Sequence, residues 1–228
     1  MTDRRDVVVI GGGHNGLVAA SYLARAGLSV LVLEKAGAVG GATVSSRPFA
    51  GVDVRLSRYS YLVSLLPRSI IDELGLPIRL AHRQVHSYTP VDRNGPTGLL
   101  VDDADPAGTA ASFRRVAGSD SDYERWQDFY RMTTSVAERV FPTLTEPLPS
   151  RAHIRSLVGE HACRTLFDEP INVVLEKTFA DDTVRGVALT DALIGMFVRA
   201  DGPDLRQNRI FLYHVIGNGT GDWDVPVG

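Results

Sequence analysis

The sequence predicts an α/β protein, and three features of its first forty residues carry this prediction. Val7–Ile10 is an unbroken β-branched run, as expected for a parallel strand that is buried on both faces. A glycine-rich turn and a helix-compatible segment, 15–26, follow it, and Gly27 supplies the helix stop. Residues 28–33 then form a second apolar run with Glu34 at its carboxyl end. Strand, turn, helix, strand and acid in this order begin a Rossmann-type unit.

The turn has the spacing G-x-G-x-x-G, and each glycine has its own expected role. Gly11 permits a tight turn, Gly13 lets the backbone approach a pyrophosphate, and Gly16 lets the helix pack against the strand. The first-turn N–H groups and the helix dipole would then face an anion. Asn15, beside these glycines, contacts phosphate or caps the helix, and capping is the commoner role of asparagine there.

Glu34 lies 23 positions after Gly11, near the spacing at which a carboxylate accepts hydrogen bonds from an adenosine ribose. It also disfavours a 2′-phosphate on that ribose, although the neighbouring Lys35 offsets part of the repulsion. The alternative is a glycine-rich turn without a ligand, followed by an ordinary exposed acid. The complete context of both strands, the helix and the acid favours dinucleotide binding.

A second glycine-rich segment, 37–43, follows Glu34 almost directly. Together with 8–35 it resembles the phytoene dehydrogenase-related FAD-dependent oxidoreductases. Within them the resemblance is to the group of pyridine nucleotide-disulphide oxidoreductase domain-containing protein 2. The resemblance extends along essentially the whole chain, and its further stretches are 57–66, 88–90, 189–195 and 213–217.

The resemblance implies that the chain binds FAD. Gly40 and Gly41 would let the chain pass close to the cofactor, although the pair could also be a plain loop turn. Many relatives in the wider superfamily carry an arginine beside this pair, whereas Ala38 and Ala42 flank it here, so a polar anchor is absent. The candidate cofactor-binding residues are Gly11, Gly13, Asn15, Gly16, Glu34, Lys35, Gly40, Gly41, Ala42 and Thr43.

Composition and charge disfavour several other classes of protein. The chain has 24 Lys+Arg and 27 Asp+Glu, a formal net charge of −3, which gives no reason to expect a nucleic acid or an anionic membrane as partner. The 44% of apolar and 22% of charged residues are typical of soluble globular chains. No stretch approaches the roughly 18 apolar residues of a transmembrane segment. We therefore expect a cytoplasmic protein.

Several catalytic patterns are absent from the sequence. Cys163 is its one cysteine, so it contains no Cys-x-x-C pair, and we expect this side chain to be buried. The six histidines lack the H-E-x-x-H spacing, so no metal site is predicted. A Gly-x-Ser-x-Gly motif is also missing. No side chain is therefore assigned as catalytic, since a flavin would perform the redox chemistry.

The sequence predicts two regions in the chain. We expect a Rossmann-type FAD-binding region over 1–80 and a β-rich and helical substrate or cap region over 81–228, truncated at its C-terminal end. Asp191 is expected to be a surface or capping acid. The predicted helices are 70–74, 122–141, 151–158, 170–179 and 183–196; a strand is predicted at 53–57, turns between short strands within 82–101, and a linker at 142–149.

Three functions remain open from the sequence. The first is an FAD-dependent oxidoreductase that transfers hydride or electrons on an unknown, hydrophobic small-molecule substrate. The second is a truncated, non-catalytic dinucleotide-binding fragment that acts through association with another chain. The third is an NAD-dependent dehydrogenase.

Members of the family are about twice as long, and the resemblance implies that their C-terminal half completes the flavin pocket. Association to cover an incomplete core is then expected.

Overall fold

The computed structural model describes residues 4–60, 62–92 and 95–227, which divide into two compact units. Unit 1 contains Met1–Val63, Arg68–Arg79 and Val225–Gly228, and unit 2 contains Ser64–Pro67 and Leu80–Asp224. The main division therefore falls after Arg79, beside the boundary expected at residue 80. The inclusion of the last four residues in unit 1 is not among the sequence-based expectations.

Unit 1 contains the predicted strand, helix and strand. β1 (Val7–Ile10) pairs in parallel with β2 (Val30–Leu33), and α1 (His14–Arg25) connects them. β2 begins two residues later than predicted. The remaining elements of this unit are a 3₁₀ turn (Gly41–Thr43), the antiparallel pair β3 (Ser45–Ser46) and β4 (Leu56–Ser57), and α2 (Arg68–Leu74). The predicted strand at 53–57 is thus reduced to its last two residues.

The two parallel strands of unit 1 are not buried on both faces, which corrects the prediction for Val7–Ile10. The side chains of Val8 and Ile10, with Leu31 and Leu33 opposite them, are exposed, and Ile10 keeps 88% of its accessible surface. Alternate residues of both strands are partly buried on the other face, the side on which α1 contacts them. Unit 1 therefore has one apolar sheet face without a covering layer among the described residues.

Unit 2 combines an antiparallel hairpin with a group of helices. The predicted helices over 122–141, 151–158 and 170–179 are confirmed to within one residue at each end, and the helix predicted at 183–196 ends at Leu193. α3, α6 and α9 are additional. The elements are β5 (Leu80–His82), β6 (Val85–Asp92), β7 (Pro96–Asp102), α3 (Pro106–Ala117), α4 (Ser121–Val140), α5 (Arg151–Val158), α6 (Glu160–Cys163), α7 (Ile171–Thr178), α8 (Asp182–Leu193) and α9 (Arg206–Val215). β8 (Asp224–Pro226) lies at the boundary of the units.

The hairpin is longer than the turn signals within 82–101 predict. Pro90 lies inside β6 opposite Gly98 of β7, so neither residue marks a turn. The ring of Tyr88 occupies the space above Gly98, where a Cβ atom would lie 2.4 Å from Tyr88 Cζ. A missing side chain therefore serves cross-strand packing here. Of the predicted turn at 94–96, Asn94 lies outside the described residues, and β7 begins at Pro96.

The apolar face of α4 forms the centre of the core of unit 2, as its periodicity predicts. Trp126, Phe129 and Val136 are buried in one hydrophobic cluster with Phe113 and Phe179. The rings of Trp126 and Phe113 lie 5.3 Å apart in an edge-to-face arrangement. The aromatic side chains of α4 are therefore part of the core of unit 2.

The burial of Cys163 and the length and apolar character of the helices test two further expectations. Cys163 is fully buried, which confirms its role as a small apolar residue. None of the helices in the described part of the chain is long and apolar enough to cross a membrane.

Asp122 is a buried acid at the start of α4 that stabilises a distant segment. Its two carboxylate oxygens accept hydrogen bonds from the amides of Ala180 (3.0 Å) and Asp181 (2.7 Å), just before α8.

Asp122→Ala should therefore leave two donors without their acceptor and lower the free energy of unfolding by about 2–4 kcal/mol. The urea midpoint, followed by tryptophan fluorescence, measures this loss. Asp128→Ala, which removes an exposed pair with Arg131 on the same helix, should change stability by less than about 1 kcal/mol; equal effects would contradict the assignment.

The exposed sheet face generates a second prediction. Ile10→Thr keeps a β-branched side chain in β1 while removing apolar surface, so we expect weaker binding of an apolar fluorescent dye and unchanged circular dichroism. Leu148→Thr is the control, because Leu148 is an exposed apolar residue of unit 2. Equal losses of dye fluorescence in the two variants would show that the sheet face is not a preferred apolar surface.

Candidate dinucleotide-binding site

The first glycine turn brings the backbone of β1 and α1 unusually close together. Gly11 has φ +100°, and its amide donates to Leu33 O at 2.7 Å, which joins the turn to the end of β2. A Cβ atom on Gly16 would lie only 2.2 Å from Gly11 O and 3.4 Å from Val9 Cγ1. Gly16 is therefore required for the close packing of α1 on the strand, because no side chain fits in this space.

Gly13 stands in a different environment from Gly16. It is the N-cap of α1 with φ −74° and ψ 172°, a conformation that any residue adopts. A Cβ atom there would meet only Gly41 Cα, at 3.9 Å. The fold itself therefore leaves room at Gly13, and glycine at this position keeps open the space in front of the helix.

The start of α1 is suited to an anion. The first N–H groups of any α-helix lack intrahelical acceptors, and this helix has neither a side-chain cap nor an acidic residue in its first turn. Its dipole therefore acts there without a compensating carboxylate. Asn15 is an exposed residue within the first turn and does not cap the helix, so the capping interpretation is wrong.

Glu34 connects the end of β2 to the glycine turn. Its carboxylate accepts from the amides of Gly12 (2.7 Å) and Ala36 (2.8 Å). These hydrogen bonds, that of Ala36 first and that of Gly12 next, lower the pKa of Glu34 below its ordinary value. The side chain is therefore fixed beside the turn as an anion. Lys35, the next residue, is exposed.

The second glycine pair packs directly on the first turn. Gly40 has φ +127°, its amide donates to Gly12 O at 2.7 Å, and it forms a parallel bridge with Gly13. A Cβ atom on Gly41 would lie 2.9 Å from Gly13 Cα. The pair is thus part of the glycine site and is not an independent loop turn. Ala42 lies in the 3₁₀ turn that follows.

Thr43 closes that turn on the glycine pair. Its amide and its Oγ1 atom both donate to Gly40 O, at 3.0 and 2.7 Å. The hydroxyl is therefore engaged with the backbone and helps to hold Gly40 in its positive-φ conformation.

The structure adds Gly12 to the residues that build the site. A Cβ atom on Gly12 would lie 2.8 Å from Val39 Cγ1 and 3.2 Å from Glu34 Oε2, so a side chain would displace both. The spacing G-x-G-x-x-G treats this position as variable. The sequence signal that could have identified Gly12 is the run of three consecutive glycines at 11–13, because the motif requires glycine only at the first and third of these positions.

Asp191 belongs to a separate polar cluster in unit 2. It lies near the end of α8, partly buried, and burial raises its pKa, while His214, Arg83 and His86 act in the opposite direction. It is therefore neither a fully exposed surface acid nor a cap, which corrects the expectation for this residue.

Comparisons with known proteins agree with this geometry. Residues 9–67 match the family model described as NAD(P)-binding Rossmann-like domain. An uncharacterized protein of Mycobacterium tuberculosis is 49% identical over 98% of this chain and 43% of its own length. Pyridine nucleotide-disulfide oxidoreductase domain-containing protein 2 of Mus musculus is 30% identical over the same shares of the two chains.

Solved structures show the same fold over nearly the whole chain. A double mutant of putrescine oxidase, from a structure-based redesign of cofactor binding, superimposes with a TM-score of 0.58 and 23% identity, covering 98% of this chain and 46% of that one. The chain thus spans less than half the length of each of these three proteins.

The pH dependence of the turn follows from Glu34. Because its pKa is lowered in the folded chain, its contribution to stability is present above the ordinary glutamate pKa and is lost as the pH falls through the folded value. The protection of the Gly12 and Ala36 amides against hydrogen exchange, taken relative to the intrinsic exchange rate at each pH, should therefore fall on acidification. Glu34→Gln should lower this protection by roughly tenfold at neutral pH, because one amide oxygen replaces two carboxylate acceptors. The exposed Glu138→Gln is the control, and unchanged exchange in Glu34→Gln would contradict this role.

The glycine turn with its fixed carboxylate and the match over residues 9–67 show that the chain carries an NAD(P)-binding Rossmann-like domain. Along 98% of its sequence the chain is similar to pyridine nucleotide-disulfide oxidoreductase domain-containing protein 2.

Proposed function

We propose that unit 1 binds the ADP part of FAD and that the protein is an FAD-dependent oxidoreductase of small molecules. The observation that carries the proposal is the open space at Gly13, which the fold does not need but a pyrophosphate would fill. It lies at the start of a helix that has no side-chain cap and no acid in its first turn. Glycine, helix dipole and amide donors therefore favour the same ligand group.

Glu34 is the proposed partner of the adenosine ribose. A carboxylate offers about four acceptor positions. The amides of Gly12 and Ala36 use two of them, so acceptor capacity remains for ribose hydroxyls. The same negative charge disfavours a phosphorylated ribose. These contacts support FAD or NAD over a 2′-phosphorylated dinucleotide.

FAD is preferred over NAD because of the second glycine pair. Gly40 and Gly41 pack against Gly13 and extend the side-chain-free surface beyond the first turn, and this segment is part of the resemblance to FAD-dependent oxidoreductases. FAD, when bound, supplies the hydride or electron transfer, while Gly13, Glu34 and their neighbours bind and orient it. NAD remains the second candidate, since the matching family model is described by NAD(P) binding.

The proposed substrate is a small apolar molecule. Unit 2 contains a cavity of about 340 Å³ whose wall combines apolar and aromatic residues with four polar ones: Val101, Pro106, Tyr123, Trp126 and Tyr130, and Asp102, Asp103, Thr109 and Gln127. The aromatic and aliphatic part of this wall favours an apolar ligand, and the polar side chains would orient a polar group on it. This cavity supports the apolar class and leaves the identity of the substrate open.

The uncovered face of the β1–β2 sheet suggests that further polypeptide contributes to the active protein. Val8, Ile10, Leu31 and Leu33 form an apolar surface of the kind that parallel sheets bury. We therefore expect association over this face, as the sequence-based expectation of an incomplete core requires. The alternative function, a non-catalytic fragment that binds the dinucleotide only, predicts association without redox activity.

The proposal is tested by three glycine variants with different expected outcomes. Gly13→Ala should weaken FAD binding at least tenfold while costing at most about 1 kcal/mol of stability, because its Cβ atom meets no protein atom closer than 3.9 Å. Gly37→Ala should change neither property, since Gly37 has open space around it and no positive φ. Gly16→Ala should destabilise unit 1, because its Cβ atom would overlap Gly11 O.

Binding is measured by titrating the purified chain with FAD and following the flavin fluorescence, with ADP and NAD as competitors. ADP should compete, because the proposed contacts are to the ADP part. Equal FAD affinity of the wild-type chain and Gly13→Ala would overturn the site assignment, and tighter binding of NAD than of FAD would favour the dehydrogenase. A bound flavin that a donor reduces and an acceptor reoxidises would separate the oxidoreductase from the non-catalytic fragment.

A further inference from the structure

Unit 2 contains a cluster of metal-binding residue types that lies outside the glycine site. His86, Asp103 and Asp222 each place one donor atom within 4.8 Å of the other two. The closest pair is His86 Nε2 and Asp103 Oδ2, at 2.6 Å. The three residues come from separate segments, so sequence spacing gives no sign of the cluster, and only folding brings them together.

His86 is directed to this point by an irregularity in the hairpin. The pairing of β6 with β7 shifts register between Val85 and Ser87, which makes His86 the extra residue of a β-bulge. A bulge turns a side chain away from the regular alternation of a strand. The imidazole is about three-quarters buried, and Asp103 follows directly after β7, where its amide donates to Gln84 O at 3.1 Å. Both donors are therefore attached to the rigid base of the hairpin.

Asp222 reaches the cluster from a glycine-rich turn. Gly221 has φ +89°, and its amide donates to Gly217 O at 2.7 Å, which closes the turn just before Asp222. A Cβ atom on Gly217 would lie 2.7 Å from Ser64 Cβ and 3.1 Å from Asp222 O, so the turn is closely packed. The third donor is thus held by backbone constraints of its own.

Three carboxylates lie near the His86 imidazole. Asp103 and Asp222 belong to the cluster itself, and Asp191 is close enough to His214, Arg83 and His86 for electrostatic interaction. Among these groups Arg83 is the permanent cation, so a divalent ion would offset the remaining negative charge.

We propose that His86, Asp103 and Asp222 bind a divalent metal ion of the zinc type. Imidazole nitrogen and carboxylate oxygen are ligands that Zn²⁺ accepts, and three protein ligands leave a fourth position for water. Tetrahedral ligands at about 2.0–2.2 Å from zinc lie roughly 3.4 Å apart. The His86–Asp103 pair, at 2.6 Å, therefore needs to open by about 0.8 Å, and Asp222, within 4.8 Å of both, needs to approach by at most about 1.4 Å. Zinc bound at His86 Nε2 takes the place of the proton on that atom, which moves to Nδ1 when the ring is neutral and is released when the ring is protonated.

The chain carries its own reporter of this site. Trp126 and Trp223 are its only tryptophans, and Trp223 follows Asp222 with its ring stacked on His214 at 5.1 Å. Trp126→Phe leaves Trp223 as the single tryptophan, which is excited selectively at wavelengths that tyrosine does not absorb. Metal binding at Asp222 should then change the emission of this variant, with the same midpoint as a calorimetric titration of the wild-type chain.

The experiment titrates chelator-treated chain with ZnCl₂, and separately with CoCl₂, whose visible bands report the coordination number. We expect one ion per chain, with binding weakened at least tenfold in His86→Ala and in Asp222→Asn. His153→Ala, which removes an exposed histidine of α5, should bind as the wild-type chain does. Neither readout involves flavin, so the result is independent of the proposed function.

The absence of saturable binding, or equal weakening in His153→Ala and His86→Ala, would overturn the proposal and leave a hydrogen bond between His86 and Asp103. Circular dichroism verifies that each variant is folded. If His86→Ala unfolds, Asp222→Asn decides the outcome, because it preserves the hairpin and removes only one charged ligand. Unchanged zinc affinity in a folded Asp222→Asn chain would contradict the proposed ligand set.

Discussion

The architecture of unit 1 depends on the close approach of two backbone segments at Gly11 and Gly16. A side chain on Gly16 would overlap the carbonyl oxygen of Gly11, so α1 can pack at this distance only because a methyl group is missing. The position of α1 in turn fixes where its first N–H groups point. The missing side chain at Gly16 therefore permits the packing of α1 and also places the first N–H groups of α1 where they form a surface that suits an anion.

Glu34 and Gly40 stabilise that arrangement from two sides. The carboxylate of Glu34 and the amide of Gly40 both bond to Gly12, one through its N–H group and the other through its carbonyl. The end of β2 and the loop after it are thereby tied to the same residue of the turn. A ligand would meet a site that is already organised, which lowers the ordering cost of binding.

Unit 2 uses buried polar groups in a comparable way. Asp122 satisfies two amides before α8, and Asn208 of α9 accepts from Ile171 and donates to Leu166 O and Glu169 O. These side chains connect segments that are far apart in sequence. Apolar packing around Trp126 and Phe129 supplies the core, and the polar contacts select how the helices are joined.

The sequence alone determined the elements that local pattern controls. The β-branched run, the glycine spacing and Glu34 predicted strand, turn, helix and site residues of unit 1, because each depends on neighbours close in the chain. The periodicity of α4 likewise predicted its buried face. Tertiary structure decided what distant contacts control, namely the exposed face of β1, the requirement for glycine at position 12 and the convergence of His86, Asp103 and Asp222. Period and spacing describe one segment at a time, whereas burial and convergence depend on which segments meet.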